Sequence, residues 1–365
     1  MHFIRWLKKI TAINRIPKNL KLDDLGECLG LVSAKKPYAV LLFFNHWKKE
    51  FIADFFPEYN LIYLHKKNYK KHIFHWLLKQ NCPLIIWSYK EQENFQRFFK
   101  KTSQIIRVED GFLRSKQLGS LQTQPLTLAI DKTGLYFNSS TASDLEILLN
   151  DYVFSSEELE RARTIIDLIQ RHGISKYNHA PQLNIDLILG AKTKERVLVI
   201  GQVERDLSIK YGCSKPFSNN DLVKLAYAEN PNAEIIYKIH PDVLAKKQKN
   251  RSSINNIKQI CTVLTEDIAP CSLFKGVDKV YTITSLMGFE ALLYNLPVIC
   301  VGAPFYSGWG LTKDYQNIPR RKTKRSLEEV FFAAYILYLR YPYGDIYYVI
   351  NCLKRSQNLT ALMGQ

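Results

Sequence analysis

Short apolar runs recur along the first half of the chain, with longer amphipathic stretches between them. "YAVLLFF" (Tyr38 to Phe44), "LIYL" (Leu61 to Leu64), "PLIIW" (Pro83 to Trp87), "IIRV" (Ile105 to Val108) and "LTLAI" (Leu126 to Ile130) read as buried strands. "HIFHWLLKQ" and "KEQENFQRFFKK" read as helices between them. That alternation predicts βαβ units and a parallel sheet. "TASDLEILLN" then carries a capping box, with Glu146 three residues after Ser143. "SSEELERARTIIDLIQRHG" predicts a second helix, ended by Gly173.

"ISKYNHAPQLN" reads as the connection between two halves, because the same rhythm restarts after it. "RVLVIGQ", "AEIIYKIHP", "VDKVYTIT" and "LPVICVG" predict strands, and "NDLVKLAYAEN" and "SLMGFEALLYN" predict helices. The expected fold class is α/β, with two Rossmann-type domains facing a cleft. Residues 1–180 form the first domain, 190–325 the second, and 326–365 a C-terminal helical segment broken at Pro342 and Gly344. The aromatic-rich tail reads first as helices packed on a domain, and second as a membrane-surface contact.

Composition narrows the class. With 46% hydrophobic and 23% charged residues in 365, the chain is globular rather than disordered. Its longest apolar runs, such as "LPVICVGAPF", fall short of the roughly 20 residues needed to cross a bilayer. "MHFIRWLKKI" is interrupted by Arg5, Lys8 and Lys9, unlike a secretion signal, so a cytoplasmic location is expected. Seven cysteines without a CxxC pair read as reduced thiols, and neither a metal nor a cofactor is expected. A net charge of +17 calls for an anionic partner. Basic clusters lie at Lys66 to Lys71 and Arg320 to Arg325, but no nucleic-acid signature accompanies them. An anionic substrate or an anionic inner-membrane surface is the better reading.

Ligands of open α/β sheets bind beyond the carboxyl ends of strands, so candidate chemistry is sought there. "IIRVEDGFLRS" ends a strand on two consecutive carboxylates, Glu109 and Asp110, followed by Gly111, which permits a turn. Ordinary turn chemistry, or pairing of Glu109 with Arg107 or Arg114, is the bland alternative. "YKIHPD" aims His240 at the cleft, and Pro241 stops the strand; His240 with Lys238 suits a phosphate. In "TITSLMGFEALL", Thr284 or Ser285 caps a helix, Gly288 permits close approach, and Glu290 is an isolated charge suited to a ribose diol. "GQVERDLSI" brings Gln202 and Asp206 to another strand end. "PFYSGWGLTKD" interleaves aromatics with Gly308 and Gly310 and reads as a shaped loop.

Together and in this order, "RVEDGFLRS", "SKYN", "GQVERDLSI", "KIHPDV", "TSLMGFEALL" and "PFYSGWGLTKD" resemble the bacterial capsule polysaccharide biosynthesis family, whose members include β-Kdo transferases. The resemblance runs from about Arg107 to Asp314, with weaker support in "LRYPYGD". Better-known members hold two such modules; this chain has room for one. The resemblance implies a GT-B fold, CMP-Kdo as donor, and a glycan or lipid-linked acceptor. The acid-acid-Gly and His-Pro motifs are also similar to those of bacterial sialyltransferases. Carried over, Asp110, or else Glu109, is the catalytic carboxylate, and His240 with Pro241 engages the CMP phosphate. Ser285 assists, and Glu290 holds the nucleotide. Gly111, Arg114, Ser115, Lys176, Tyr177, Asn178, Phe305, Tyr306 and Trp309 would shape the pocket. A β-Kdo product from this donor means retention, which a carboxylate nucleophile can deliver by double displacement. The alternatives are a transferase for another CMP-nonulosonate such as sialic acid, or a non-catalytic capsule assembly or export protein.

Overall fold

The computed structural model describes residues 10–13, 36–65, 82–90, 105–244 and 252–363. Residues 1–9 of "MHFIRWLKKI", and the stretches "KKNYKK", "HIFHWLLKQ" and "EQENFQRFFKK", lie outside them. The apolar runs form strands, and the strands gather into two sheets. The first is built from β1 (Ile10–Ile13), β2 (Tyr38–Leu42), β3 (Asn60–Leu64), β4 (Leu84–Trp87), β5 (Ile105–Asp110), β6 (Leu128–Asp131) and β13 (Leu339–Arg340), in the order β1-β3-β2-β4-β5-β6-β13. β1 to β5 are parallel, and β2, β3 and β4 are buried almost throughout, as strands covered on both faces must be.

β5 differs. Ile106 and Val108 are buried, while Arg107, Glu109 and Asp110 are half-buried, so one face of this strand borders an open space. β6, expected as another parallel strand, is antiparallel to β5. Only a 3-10 turn at Gly119–Leu121 lies between them, and antiparallel neighbours need no helical crossover.

The second sheet comprises β7 (Arg196–Ile200), β8 (Glu234–Lys238), β9 (Thr262–Leu264), β10 (Lys279–Thr282), β11 (Val298–Cys300) and β12 (Lys313–Asp314). All run parallel in the order β12-β11-β10-β7-β8-β9. Counted from β7, this is the doubly wound nucleotide-binding order, whose direction of winding reverses between β7 and β10. Two Rossmann-type domains thus face each other, the GT-B arrangement.

The helix Ser156–His172 has a full capping box between Ser155 and Glu158, and ends at Gly173 with φ +60°. The box expected at Ser143 is only half made. Ser143 Oγ accepts the Glu146 N–H, but the Glu146 carboxylate turns to Arg320 Nε at 2.7 Å and Arg321 Nε at 3.2 Å. Arg321 also donates to the carbonyls of Pro304 and Ser307, and Arg325 to those of Leu149 and Tyr152. The three arginines of the "RRKTKR" cluster therefore stitch the end of the second domain to the first.

The tail is not helical throughout. After the helix Leu327–Phe331 and a π-helical turn, β13 pairs antiparallel with β6 and closes an edge that would otherwise stay unpaired. The Tyr338 hydroxyl donates to the buried Asp131 at 2.9 Å, and the helix Ile346–Met363 follows. Phe331, Phe332, Tyr335 and Tyr338 are buried, so these rings are core rather than a membrane-facing surface. Among the described residues, no helix is long and apolar enough to cross a membrane.

Glu146 and Arg321 have side chains only 5% and 2% exposed, so removing one partner leaves a buried charge uncompensated. Glu146→Ala is expected to cost about 3–5 kcal/mol of stability, read as a lowered urea midpoint. A midpoint shifted by less than about 1 kcal/mol equivalent, the value of an exposed pair, would contradict the stitch.

Candidate active site

The carboxyl ends of both sheets open onto one cavity of about 490 Å³. That volume lies in the range of small-molecule sites, about 300–1,000 Å³. The first domain contributes Trp87 and Ser88 from the end of β4 and Glu109 and Asp110 from the end of β5. The second contributes Gln202 after β7, Lys238 at the end of β8 and His240 after it, Asp267 after β9, Thr284 and Ser285 after β10, and Phe305 and Tyr306 after β11. Gln202 spans the point where the winding reverses. Its Nε2 donates to Thr284 Oγ1 at 3.1 Å, and its Oε1 accepts the Thr284 N–H at 2.8 Å.

The two acids have different surroundings. Burial disfavours the Asp110 carboxylate, but Arg114, Lys48 and Lys176 outweigh it and hold its pKa below the usual value. Arg114 Nε lies 2.8 Å from Asp110 Oδ2, and its side chain is itself buried. Asp110 Oδ1 has no hydrogen-bond partner among the described residues. Burial and the charge of Asp110 push Glu109 the other way, to a raised pKa that Lys48 only partly offsets. Glu109 Oε1 accepts the N–H of Asp110 at 2.9 Å. The pKa values of the two acids are thereby driven in opposite directions, the separation from which acid–base pairs draw their roles.

Lys48 underlies both. It is 5% exposed, and its Nζ sits 2.8 Å from the centre of the Trp87 ring. Burial pushes its pKa down to about 7, against the pull of Asp110 and Glu109.

On the opposite side, His240 Nδ1 accepts the Asp242 N–H at 3.1 Å, which leaves the proton of a neutral ring on Nε2. Burial holds the His240 pKa below normal and keeps the ring neutral. Pro241 opens the short helix Pro241–Leu244. Lys238, buried beneath, donates to the Glu266 carbonyl at 2.6 Å. Asp206 caps the helix Leu207–Gly212, and Ser285 caps Leu286–Leu293 with its Oγ on the Met287 N–H. Glu290 Oε1 accepts the Lys176 N–H at 2.8 Å, and burial pushes its pKa up to about 7.

Of the expected site residues, Glu109, Asp110, Lys176, Tyr177, Gln202, Asp206, Lys238, His240, Pro241, Thr284, Ser285, Glu290, Phe305 and Tyr306 line the cavity. Six others support it from behind. Gly111 is needed for space rather than for a special turn: a Cβ there would lie 2.9 Å from the Thr127 carbonyl carbon. Arg114 holds Asp110, and Ser115 Oγ accepts from Arg114 Nη1. Asn178 bonds the Ser115 carbonyl. A Cβ on Gly288 would lie 2.9 Å from Thr282 Cγ2 and crowd the Tyr306 hydroxyl. Trp309 is buried, its Nε1 on the Phe305 carbonyl, and Phe305 stacks on Phe112 of the acid loop at 4.7 Å.

Sequence reasoning missed Lys48, Ser88, Tyr136, His179 and Asp267. Lys48 lies in "HWKK", which carries no motif; His179 directly follows "SKYN", and Asp267 lies in "TEDIAP" after a three-residue strand.

Comparison with known proteins agrees with this fold. The family described as capsule polysaccharide biosynthesis protein matches residues 83–343, more than the motifs alone span, and the chain belongs to it. The lipopolysaccharide-processing protein LpsZ of Rhizobium meliloti is 41% identical over 331 residues, 88% of this chain and 74% of its own length. The capsule polysaccharide modification protein LipA of Neisseria meningitidis serogroup B is 35% identical over 283 residues, and there the match covers only 40% of the relative. Two structures of KpsC from Thermosulfurimonas dismutans are similar. Its beta Kdo 2,4 transferase superposes with a TM-score of 0.75 at 33% identity, over 88% of this chain and 99% of that one. Its beta Kdo 2,7 transferase gives 0.66 at 31%, over 84% and 92%.

Glu290 has a pKa raised from 4.5 to about 7 by burial, so its contribution to stability is complete below pH 4.5 and is lost as pH rises through 7. Glu290→Gln is expected to remove that loss, on the order of 3 kcal/mol at about 1.4 kcal/mol per pKa unit. The check is the difference in thermal midpoint between variant and wild type from pH 4.5 to 8. A difference independent of pH would show that Glu290 titrates as an ordinary carboxylate.

Proposed function

We propose that this chain transfers a Kdo residue from CMP-Kdo to a saccharide or lipid-linked acceptor in capsule or surface polysaccharide synthesis, with retention at the anomeric carbon. The observation that carries the reading is the split acid pair: Asp110, its pKa lowered and its Oδ1 without a hydrogen-bond partner among the described residues, beside Glu109, its pKa raised, in one cavity with His240. The likeness to the two KpsC transferases supports the choice of sugar.

In this reading the Asp110 carboxylate attacks the anomeric carbon as its bond to the CMP phosphate breaks. The phosphate accepts the His240 Nε2–H and takes the proton of Glu109. Forming the ester removes the Asp110 charge, one of the two causes that raise the pKa of Glu109, so losing that proton becomes easier at this step. The acceptor hydroxyl then attacks from the vacated side and gives its proton to Glu109, and Asp110 leaves as a carboxylate. Two inversions give net retention. Cationic side chains, Lys176 and Lys238 among them, meet the donor's charge, so the proposal uses neither metal nor cofactor. The net charge of +17 supports a cytoplasmic enzyme that meets an anionic membrane surface at its periphery.

The test is transfer from CMP-Kdo, with CMP-sialic acid as the competing donor, and NMR of the product linkage. Asp110→Ala is expected to lower turnover by about a thousandfold or more while CMP still raises the melting temperature. His240→Ala is expected to shrink that CMP-induced shift. Near-normal turnover in Asp110→Ala, or an inverted product, would refute the mechanism; preference for CMP-sialic acid would refute the donor.

A further inference from the structure

His179 and Asp267 line the same cavity, and neither is needed by the mechanism above. His179 Nε2 lies 3.3 Å from Asp267 Oδ2. In a neutral ring, a carboxylate at that nitrogen fixes the proton on Nε2 and leaves a lone pair on Nδ1. Nδ1 is buried and has no hydrogen-bond partner among the described residues. A buried acceptor without a partner costs free energy unless something in the functional state donates to it.

The placement of the dyad is firm. The Ala269 N–H donates to the Pro181 carbonyl at 2.9 Å, tying the segment that carries His179 to the loop that carries Asp267. That loop follows β9, the edge strand of the second sheet beyond β8 and His240. Ile268 and Pro270 add apolar wall beside it. With the phosphate at His240 and the sugar at the acid pair, what remains for this end of the cavity is the nucleobase. The lone pair of Nδ1 repels a phosphate or carboxylate oxygen, so the group it meets must be a hydrogen-bond donor.

We infer that His179, oriented by Asp267, reads the exocyclic amine of a cytosine and so makes the site select cytidine over uridine nucleotides. Uracil carries a carbonyl where cytosine carries the amine, and that carbonyl would set two acceptors against each other. The inference rests on the proposed reading of the cavity as a nucleotide-sugar site. It adds the residue that sets base specificity.

The experiment measures the affinities of the full chain for CMP and UMP by calorimetry. Wild type is expected to prefer CMP by about tenfold or more, the worth of one buried hydrogen bond made against one left unmade. His179→Phe keeps a ring of similar breadth and removes the lone pair; its ratio is expected to fall to near one, with UMP binding retained. Asp267→Asn, at a side chain 52% exposed, spares the fold and is expected to lower the ratio partway by freeing the tautomer. A wild-type ratio preserved in both variants would overturn the inference and leave the cytidine donor standing. Equal loss of CMP and UMP would place His179 on ribose or phosphate and overturn it as well. A wild type that does not prefer CMP would overturn both the inference and the CMP-Kdo reading.

Discussion

Two carboxylates on consecutive residues at the buried end of a strand cannot both be charged without compensation, and much of the surrounding structure supplies it. Arg114 does so most directly, with its guanidinium against Asp110. The loop that returns Arg114 to Asp110 is held by three contacts. The N–H groups of Arg114 and Ser115 donate to the Lys176 carbonyl, and the Arg114 carbonyl accepts from Leu126. A Cβ on Gly119 would come within 3.0 Å of the guanidinium, so the packing leaves the arginine little freedom. Compensation is unequal between the two acids, and that inequality moves their pKa values in opposite directions.

The same constraint explains why the two domains are joined so tightly around the pair. Phe112, two residues beyond Asp110, stacks on Phe305 from the second domain and packs on Tyr335 from the tail. Glu146 gathers Arg320 and Arg321, and Tyr338 caps Asp131 while β13 extends the first sheet. Ser120 Oγ donates to Asp242 at 2.8 Å, next to His240. Charges that must act across a cleft need its two walls in register, and these contacts set it.

Much of the site was legible in the sequence because its residues stand where strands end. Glu109, Asp110, His240 and Ser285 each follow a run of β-branched or aliphatic residues, and the βα rhythm alone places such positions at one edge of a sheet. Three kinds of feature were not legible. Lys48 reaches the acid pair through tertiary packing and carries no local signal. Glu146 fits a capping box by spacing, but a buried arginine competes for its carboxylate more strongly than an exposed backbone N–H does. β13 is two residues long inside an aromatic segment, and only the open edge of β6 makes it a strand. Local pattern fixes elements; partners chosen across the fold escape it.

The central claim is that Asp110 becomes covalently bonded to the sugar. Its most direct test is intact-protein and peptide mass spectrometry after incubating the wild-type chain with CMP-Kdo and no acceptor, where the first step can proceed and no acceptor hydroxyl is present to complete turnover. The expected result is one Kdo residue attached to the peptide that contains Asp110, and its release when acceptor is added. Retained product formed with the sugar on Glu109 or another side chain, or with no adduct under any quench, would contradict it.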